Sequence, residues 1–214
     1  MPYRIPGFEN FAFYHLFNRG VNKQDIYGIG SDYQRFIQTL IYYQYSGPKP
    51  KFSNQNRFKL KDFRNNSKIV NLVCYCLMPN HFHLLIQQAT EGGIREFMGK
   101  LSNSYTKYFN TRHNRTGPLF QGEFKAVLVE SDEQLIHVSR YIHLNPYVSE
   151  ITKNLNFYPY SSFLEYSNPS SSEICTKQPI LQFFQKNSYG NFIHDYEDYA
   201  LRLKQITHLL IDLE

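Results

Sequence analysis

The sequence predicts an α+β fold: a four-stranded antiparallel sheet in the split-βαβ, ferredoxin-like arrangement, with helices on one face and a mostly helical C-terminal extension. Three observations predict it. Segments of strand and helix character follow one another as strand, helix, strand, strand, helix, strand between residues 11 and 130. The middle two strands are separated only by Met78-Pro79-Asn80, a turn that makes them a hairpin. Hydrophobic residues make up 42% of a 214-residue chain, enough for one packed core or for a main domain with an appendage.

Each element has its own signal. Residues 11–18, FAFYHLFN, are aromatic and extended in character, and Arg19-Gly20 ends them. Ser31 is the expected N-cap of a helix from Asp32 to about Tyr45, with Phe36, Leu40 and Tyr43 at helical spacing before Gly47-Pro48. Residues 49–68 form a polar insert. Residues 69–77, IVNLVCYCL, read as a buried strand, and 81–87 as its hairpin partner. Ile94, Phe97, Leu101, Tyr105 and Tyr108 mark a long amphipathic helix to about Arg112. Residues 123–130 alternate as a strand. Ser131 or Asp132 caps a further helix expected to end at Asn145, before Pro146. The organisation expected is a main unit, 1–150, followed by an extension, 151–214.

Charge narrows the class of partner. Residues 1–146 hold 18 of the 23 Lys and Arg but only 10 of the 18 acids, a net of +8, while the remainder is net −3. The insert alone carries Lys49, Lys51, Arg57, Lys59, Lys61, Arg64 and Lys68 against Asp62, which points to phosphate contact. The 18 Tyr and 18 Phe, without any Trp, suit stacking on unpaired bases as well as core packing. Cys74, Cys76 and Cys175 are too few and too odd in number for a disulfide framework. No apolar run approaches the ~20 residues that span a bilayer, and the first residues lack a secretory h-region. A cytoplasmic, nucleoid-associated protein with no membrane partner is expected.

Two segments carry chemistry. In His81-Phe82-His83, strand alternation puts both imidazoles on one face and Phe82 on the other, a common way to hold a divalent metal. On a helix, Tyr141 and Asn145 are one turn apart and present a phenol and an amide oxygen together. Taken singly, HxH pairs arise by chance and a tyrosine among 18 is a packing residue. Cys74-x-Cys76 before His81-x-His83 leaves a zinc-binding Cys₂His₂ module open, and a four-stranded sheet of this kind also serves RNA recognition without catalysis.

Read together, Tyr75-Cys76-Leu77-Met78-Pro79-Asn80-His81-Phe82-His83-Leu84-Leu85 resembles the LMPNHxHLL signature of REP-associated tyrosine transposases, relatives of the single-tyrosine, HUH-type insertion-sequence (IS200-like) transposases. The resemblance continues in order through Asn18-Arg19-Gly20, then Gly117-Pro118-Leu119-Phe120-Gln121-Gly122-Glu123-Phe124-Lys125, Arg140-Tyr141-Ile142-His143-Leu144-Asn145-Pro146 and Tyr158-Pro159-Tyr160-Ser161-Ser162. It implies His81 and His83 as metal ligands, Tyr141 as nucleophile and Asn145, one methylene shorter than the Gln of related enzymes, as a third ligand. It implies Mg²⁺ or Mn²⁺ as cofactor and single-stranded DNA hairpins from REP-like palindromes as substrate. The reaction implied is attack by Tyr141 on phosphorus, leaving a 5′-phosphotyrosine bond and a free 3′-hydroxyl. Because a phenol titrates near ~10, it needs help at neutral pH. Glu123 stands where the family usually shows a basic residue. Arg19, Lys49, Lys51, Arg57, Lys59, Lys61, Arg64, Arg115 and Lys125 are the expected DNA contacts. A monomer is expected, and a domesticated hairpin-binding protein is the alternative function.

Overall fold

The structure, a computed structural model, describes residues 7–47, 52, 65–167, 174–185, 188–197 and 200. Its elements are β1 (Phe13–Arg19), α1 (Gly30–Tyr43), β2 (Val70–Met78), β3 (His81–Gln88), α2 (Gly93–Arg112), β4 (Lys125–Val129), α3 (Asp132–Val148), α4 (Phe163–Ser167), α5 (Gln178–Leu181) and α6 (Ser188–His194). The four strands form one sheet in the order β2-β3-β1-β4, and every neighbouring pair is antiparallel. Strands β1 and β2 therefore run the same way with β3 between them, which is the split βαβ expected from the sequence.

The helices divide between the two faces. α1 and α2 share one face, where the Phe36 ring lies 5.3 Å from that of Phe82 and 4.9 Å from that of Tyr105. α3 covers the opposite face, packing on β2 and β3. The reason lies in β2: residues 72–78 are buried without a break, so both of its faces need cover. A continuous apolar run carries no face preference, and the second layer was not legible from it.

The outer edge of β2 is closed by the chain after α3. The Leu77 amide donates to the Tyr160 carbonyl and the Thr176 amide to the Leu72 carbonyl. The Tyr158 and Tyr166 hydroxyls donate to the carbonyls of Leu77 and Val73. An edge strand this apolar would otherwise expose unpaired backbone groups.

Two helix ends differ from expectation. α1 starts at Gly30 with Ile29 at the cap position, and Ser31 lies inside the helix. Asp32 does the capping: its buried carboxylate accepts from the backbone N–H groups of Gly28 and Ile29, at 2.9 and 3.1 Å. α3 does not stop at Asn145 but runs through Pro146 to Val148. So close to the C-terminus, the proline forfeits one intrahelical bond, a smaller loss than in mid-helix. Its start is as expected, with Ser131 Oγ accepting from the Gln134 amide.

Gly20 shows why a motif residue is fixed. A Cβ there would meet the Gln24 carbonyl oxygen at 2.1 Å and Ile26 Cγ2 at 2.9 Å. The close turn lets the Gly20 amide reach the Asn80 carbonyl, tying the end of β1 to the turn before β3. Of the basic insert, Phe52 packs against Tyr42 and Arg35, and a bridge from Tyr45 to Lys68 closes its base. Lys49, Lys51, Arg57, Lys59, Lys61 and Arg64 lie outside the described residues.

Candidate active site

The site is built where β1, β3 and β4 meet α3. Antiparallel register places Arg19 opposite His81, and Phe17 opposite His83 on one side and Lys125 on the other. Alternation puts all five on one face of the sheet. Phe82 points the other way into the core, completely buried. On this face is a cleft of about 500 Å³ whose lining includes Asn18, Arg19, Asn80, His81, His83 and Tyr141. Lys23, Gln121 and Lys125 complete its polar wall, so three cations and no carboxylate face it among the described residues.

Both histidines are held from behind. Asn80 Oδ1 lies 2.6 Å from His81 Nδ1, and because that oxygen can only accept, the proton sits on Nδ1 and the lone pair on Nε2. His83 Nδ1 lies 2.9 Å from Nε2 of His15, with the two rings stacked at 5.0 Å. When His83 donates this bond, its Nε2 also carries a lone pair. Desolvation pushes the His83 pKa down to about 2, helped by the neighbouring His15 and His81. Burial alone takes His15 to about 4, and His81 is lowered by burial and by the Arg19 charge. All three are thus neutral at physiological pH, the form in which imidazole binds metal.

Tyr141 stands over this cluster from α3. Its side chain is 53% exposed, and its ring lies edge-on to His83 at 5.4 Å and to His15 at 5.9 Å. The helix is pinned by its other side. His143, two residues on, is fully buried between Ser162 Oγ at 2.8 Å and the Tyr189 hydroxyl at 2.7 Å. Tyr189 donates on to Ser139 Oγ, and Ser139 to the Ile136 carbonyl. Those directions make His143 Nδ1 the donor and Nε2 the acceptor, and both ring nitrogens are satisfied.

The structure thus brings together Tyr141, His81, His83, Arg19 and Lys125. It does not bring Asn145 into the cleft: its amide nitrogen donates to the Tyr141 carbonyl within the helix. Arg115 is bound to Asn110 and to the Pro118 carbonyl, where it ties down the loop before β4. Among the described residues, no three His, Cys, Asp or Glu side chains gather so as to hold a metal unaided. Cys74 and Cys76 are fully buried in β2, and burial raises both thiols far above their ordinary pKa. Lys23 and Phe17 were not singled out in the sequence, Gln121 stood there only as part of a motif, and His15 had no partner that the sequence could name. His15 had a signal in its alternation with Phe13 and Phe17 along β1, but nothing there says which strand lies alongside.

Residues 53–145 match the family model for IS200-like transposases. The chain is similar to a solved structure of a REP-associated tyrosine transposase bound to a REP hairpin. Identity is 14%, the match covers 82% of this chain and 90% of that one, and the TM-score is 0.54. A candidate transposase from Deinococcus radiodurans aligns at 14% identity over 65% of this chain and 94% of that one, with a TM-score of 0.36. No curated protein matches the chain. The similarity to IS200-like transposases in sequence thus lies in residues 53–145, the stretch that holds the His81-Phe82-His83 hairpin and Tyr141. In fold the chain is similar to the REP-associated tyrosine transposase, in keeping with the resemblance of its motifs. No helix among the described residues is long and apolar enough to cross a membrane.

Proposed function

We propose that the protein nicks and rejoins single-stranded DNA beside a hairpin through a 5′-phosphotyrosine intermediate on Tyr141. The observation that carries this reading is an exposed phenol held against two neutral, oriented histidines in a cleft walled by cations. In the reading, Arg19, Lys23 and Lys125 bind the phosphates flanking the scissile bond. Tyr141 Oη forms the new bond to phosphorus, the bond to the 3′ oxygen breaks, and that oxygen leaves as a hydroxyl. The phosphodiester energy is kept in the phosphotyrosine, so attack by another 3′-hydroxyl rejoins the strand.

His81 and His83 fit a divalent cation, because each has one ring nitrogen engaged from behind and the other without a partner among the described residues. Such a cation, when bound, supplies charge to the phosphate oxygens and lines up the leaving group. Mg²⁺ or Mn²⁺ suits a donor set that phosphate and water oxygens would complete. Asn145 would join it only by releasing its bond to the Tyr141 carbonyl. A monomer working at the nucleoid is part of the proposal. A REP-like hairpin is the proposed substrate, with residues 1–150 as the catalytic unit and 151–214 as its extension.

The test incubates the protein and its Tyr141→Phe variant with labelled single-stranded hairpin oligonucleotides and Mn²⁺, followed by a denaturing gel. A protein-linked DNA band that disappears in the variant is expected. A folded, metal-binding protein that yields no band with any hairpin would leave a hairpin-binding protein without chemistry.

A further inference from the structure

The opposite face of the molecule carries a second basic groove, away from the cleft. It runs between α1 and α2, encloses about 1010 Å³, and is lined by Arg35, Arg95, Lys100, Lys107 and Arg112. Glu96 is the one acid in the lining among the described residues, and it is paired with Lys100. Asp32, beneath the groove, adds little negative charge at the surface. Its carboxylate is fully buried and already accepts from two backbone amides and the Tyr108 hydroxyl, with His113 2.9 Å away. Among the described residues, Arg35, Arg95 and Lys107 are left without an acidic partner along two helices, while Arg112 shares the buried Asp32. The Arg35 guanidinium lies over the rings of Phe52 and Tyr108, at 4.2 and 5.1 Å, and its buried Nε has no hydrogen-bond partner among the described residues. A guanidinium so fixed is ready to accept an anion.

The groove also has a direction. α1 begins at the cleft end of the sheet, since the Ile26 and Tyr27 amides both reach the Pro79 carbonyl just before His81. Arg112 is at that end too, 3.9 Å from Asp32. Tyr43 and Arg95 are at the other end, where α1 leads into the basic insert and α2 begins. From Arg95 to Arg112, α2 spans about 25 Å at 1.5 Å per residue. That is room for several phosphates of one extended strand. The insert is not a suitable occupant, because residues 53–64 are themselves basic, with Arg57, Lys59, Lys61 and Arg64 against Asp62.

We propose that the α1–α2 groove is a binding track for the single-stranded flank of the DNA, leading its backbone from the cleft end of the sheet towards the basic insert. The proposal rests on the DNA reading of the cleft, but it concerns a different surface and a different part of the substrate. The contacts are to phosphates, so the track is indifferent to base sequence. Its contribution also weakens steeply with salt.

The experiment measures binding of the whole protein to one hairpin, bare or carrying a flank of about ten nucleotides on either side, by fluorescence anisotropy over a salt series. The flanked hairpin is expected to bind several-fold more tightly and with a steeper salt dependence. Reversing Arg95→Glu and Lys107→Glu together removes that advantage. It lowers the log–log salt slope by about 1.4, at ~0.7 per single-strand phosphate contact, and leaves the bare hairpin's affinity unchanged. Both side chains are exposed, and an Arg95→Gln, Lys107→Gln pair serves if the reversals disturb the melting temperature. Equal binding of bare and flanked hairpins by the wild type would overturn the proposal, as would an advantage that survives both pairs. Adduct formation by Tyr141 on the bare hairpin is scored separately. A flank effect without any adduct would remove the catalytic reading and keep the track.

Discussion

Two sides of one helix, two residues apart, are treated in opposite ways. Tyr141 faces the cleft half-exposed, over histidines that each keep one nitrogen unengaged. His143 faces inward, fully buried, with both nitrogens bonded in a chain running from the Tyr75 amide through Ser162, His143, Tyr189 and Ser139 to the Ile136 carbonyl. Both clusters hold neutral imidazoles in a desolvated setting, yet only one has bonding capacity left over. The closed chain fixes α3 to β2 and α6, so the phenol on its far side keeps its station over the histidines. A polar network that satisfies itself is scaffolding, whereas one left open at a single face is available for a ligand.

The largest effect that can probe this contrast is acid. Burial holds His83 at about 2 and His143 at about 3, below the ordinary 6.5. Keeping them neutral contributes stability that is complete above the unfolded value and is lost as pH falls towards the folded ones. Between roughly pH 7 and pH 5 the metal-free protein should lose about 2 kcal/mol for each, and His15, held at about 4 by burial, adds to the loss over the same range. Denaturant melts across that range measure it. A flat profile would show that neither ring is as desolvated as its surroundings imply.

Next in size is the closed chain itself. His143→Ala is expected to cost ~2–4 kcal/mol, from the cavity and the stranded hydroxyls of Ser162 and Tyr189. Tyr141→Phe, on the exposed side, should stay within about 0.5 kcal/mol of wild type. Equal losses in the two variants would erase the distinction between the two sides of α3.

The smallest effect tests His15. His15→Phe keeps the ring but removes the partner of His83 Nδ1, and Mn²⁺ affinity should fall about tenfold, as for other supporting partners of metal ligands. Titration calorimetry reads this without any DNA. An unchanged affinity would reduce His15 to packing.

The sequence by itself determined the order of the elements, the hairpin at Pro79-Asn80 and the common face of His81 and His83, because turn chemistry and strand alternation are local properties. It also marked Tyr141 and the transposase motifs, which are contiguous. What only the tertiary structure decided was which elements face each other. His15 reaches His83 through the β1–β3 register, and strand register depends on residues far apart in the chain. The α3 layer, the seal on β2 and the buried station of His143 follow from the packing of a strand that is apolar on both faces. Asn145 turns back to its own helix and Arg115 to its own loop, since short polar side chains and forked guanidiniums take the nearest acceptor that folding supplies. The α1–α2 groove belongs to this second group: its cations come from two segments separated by the whole β2–β3 hairpin, and only folding lines them up.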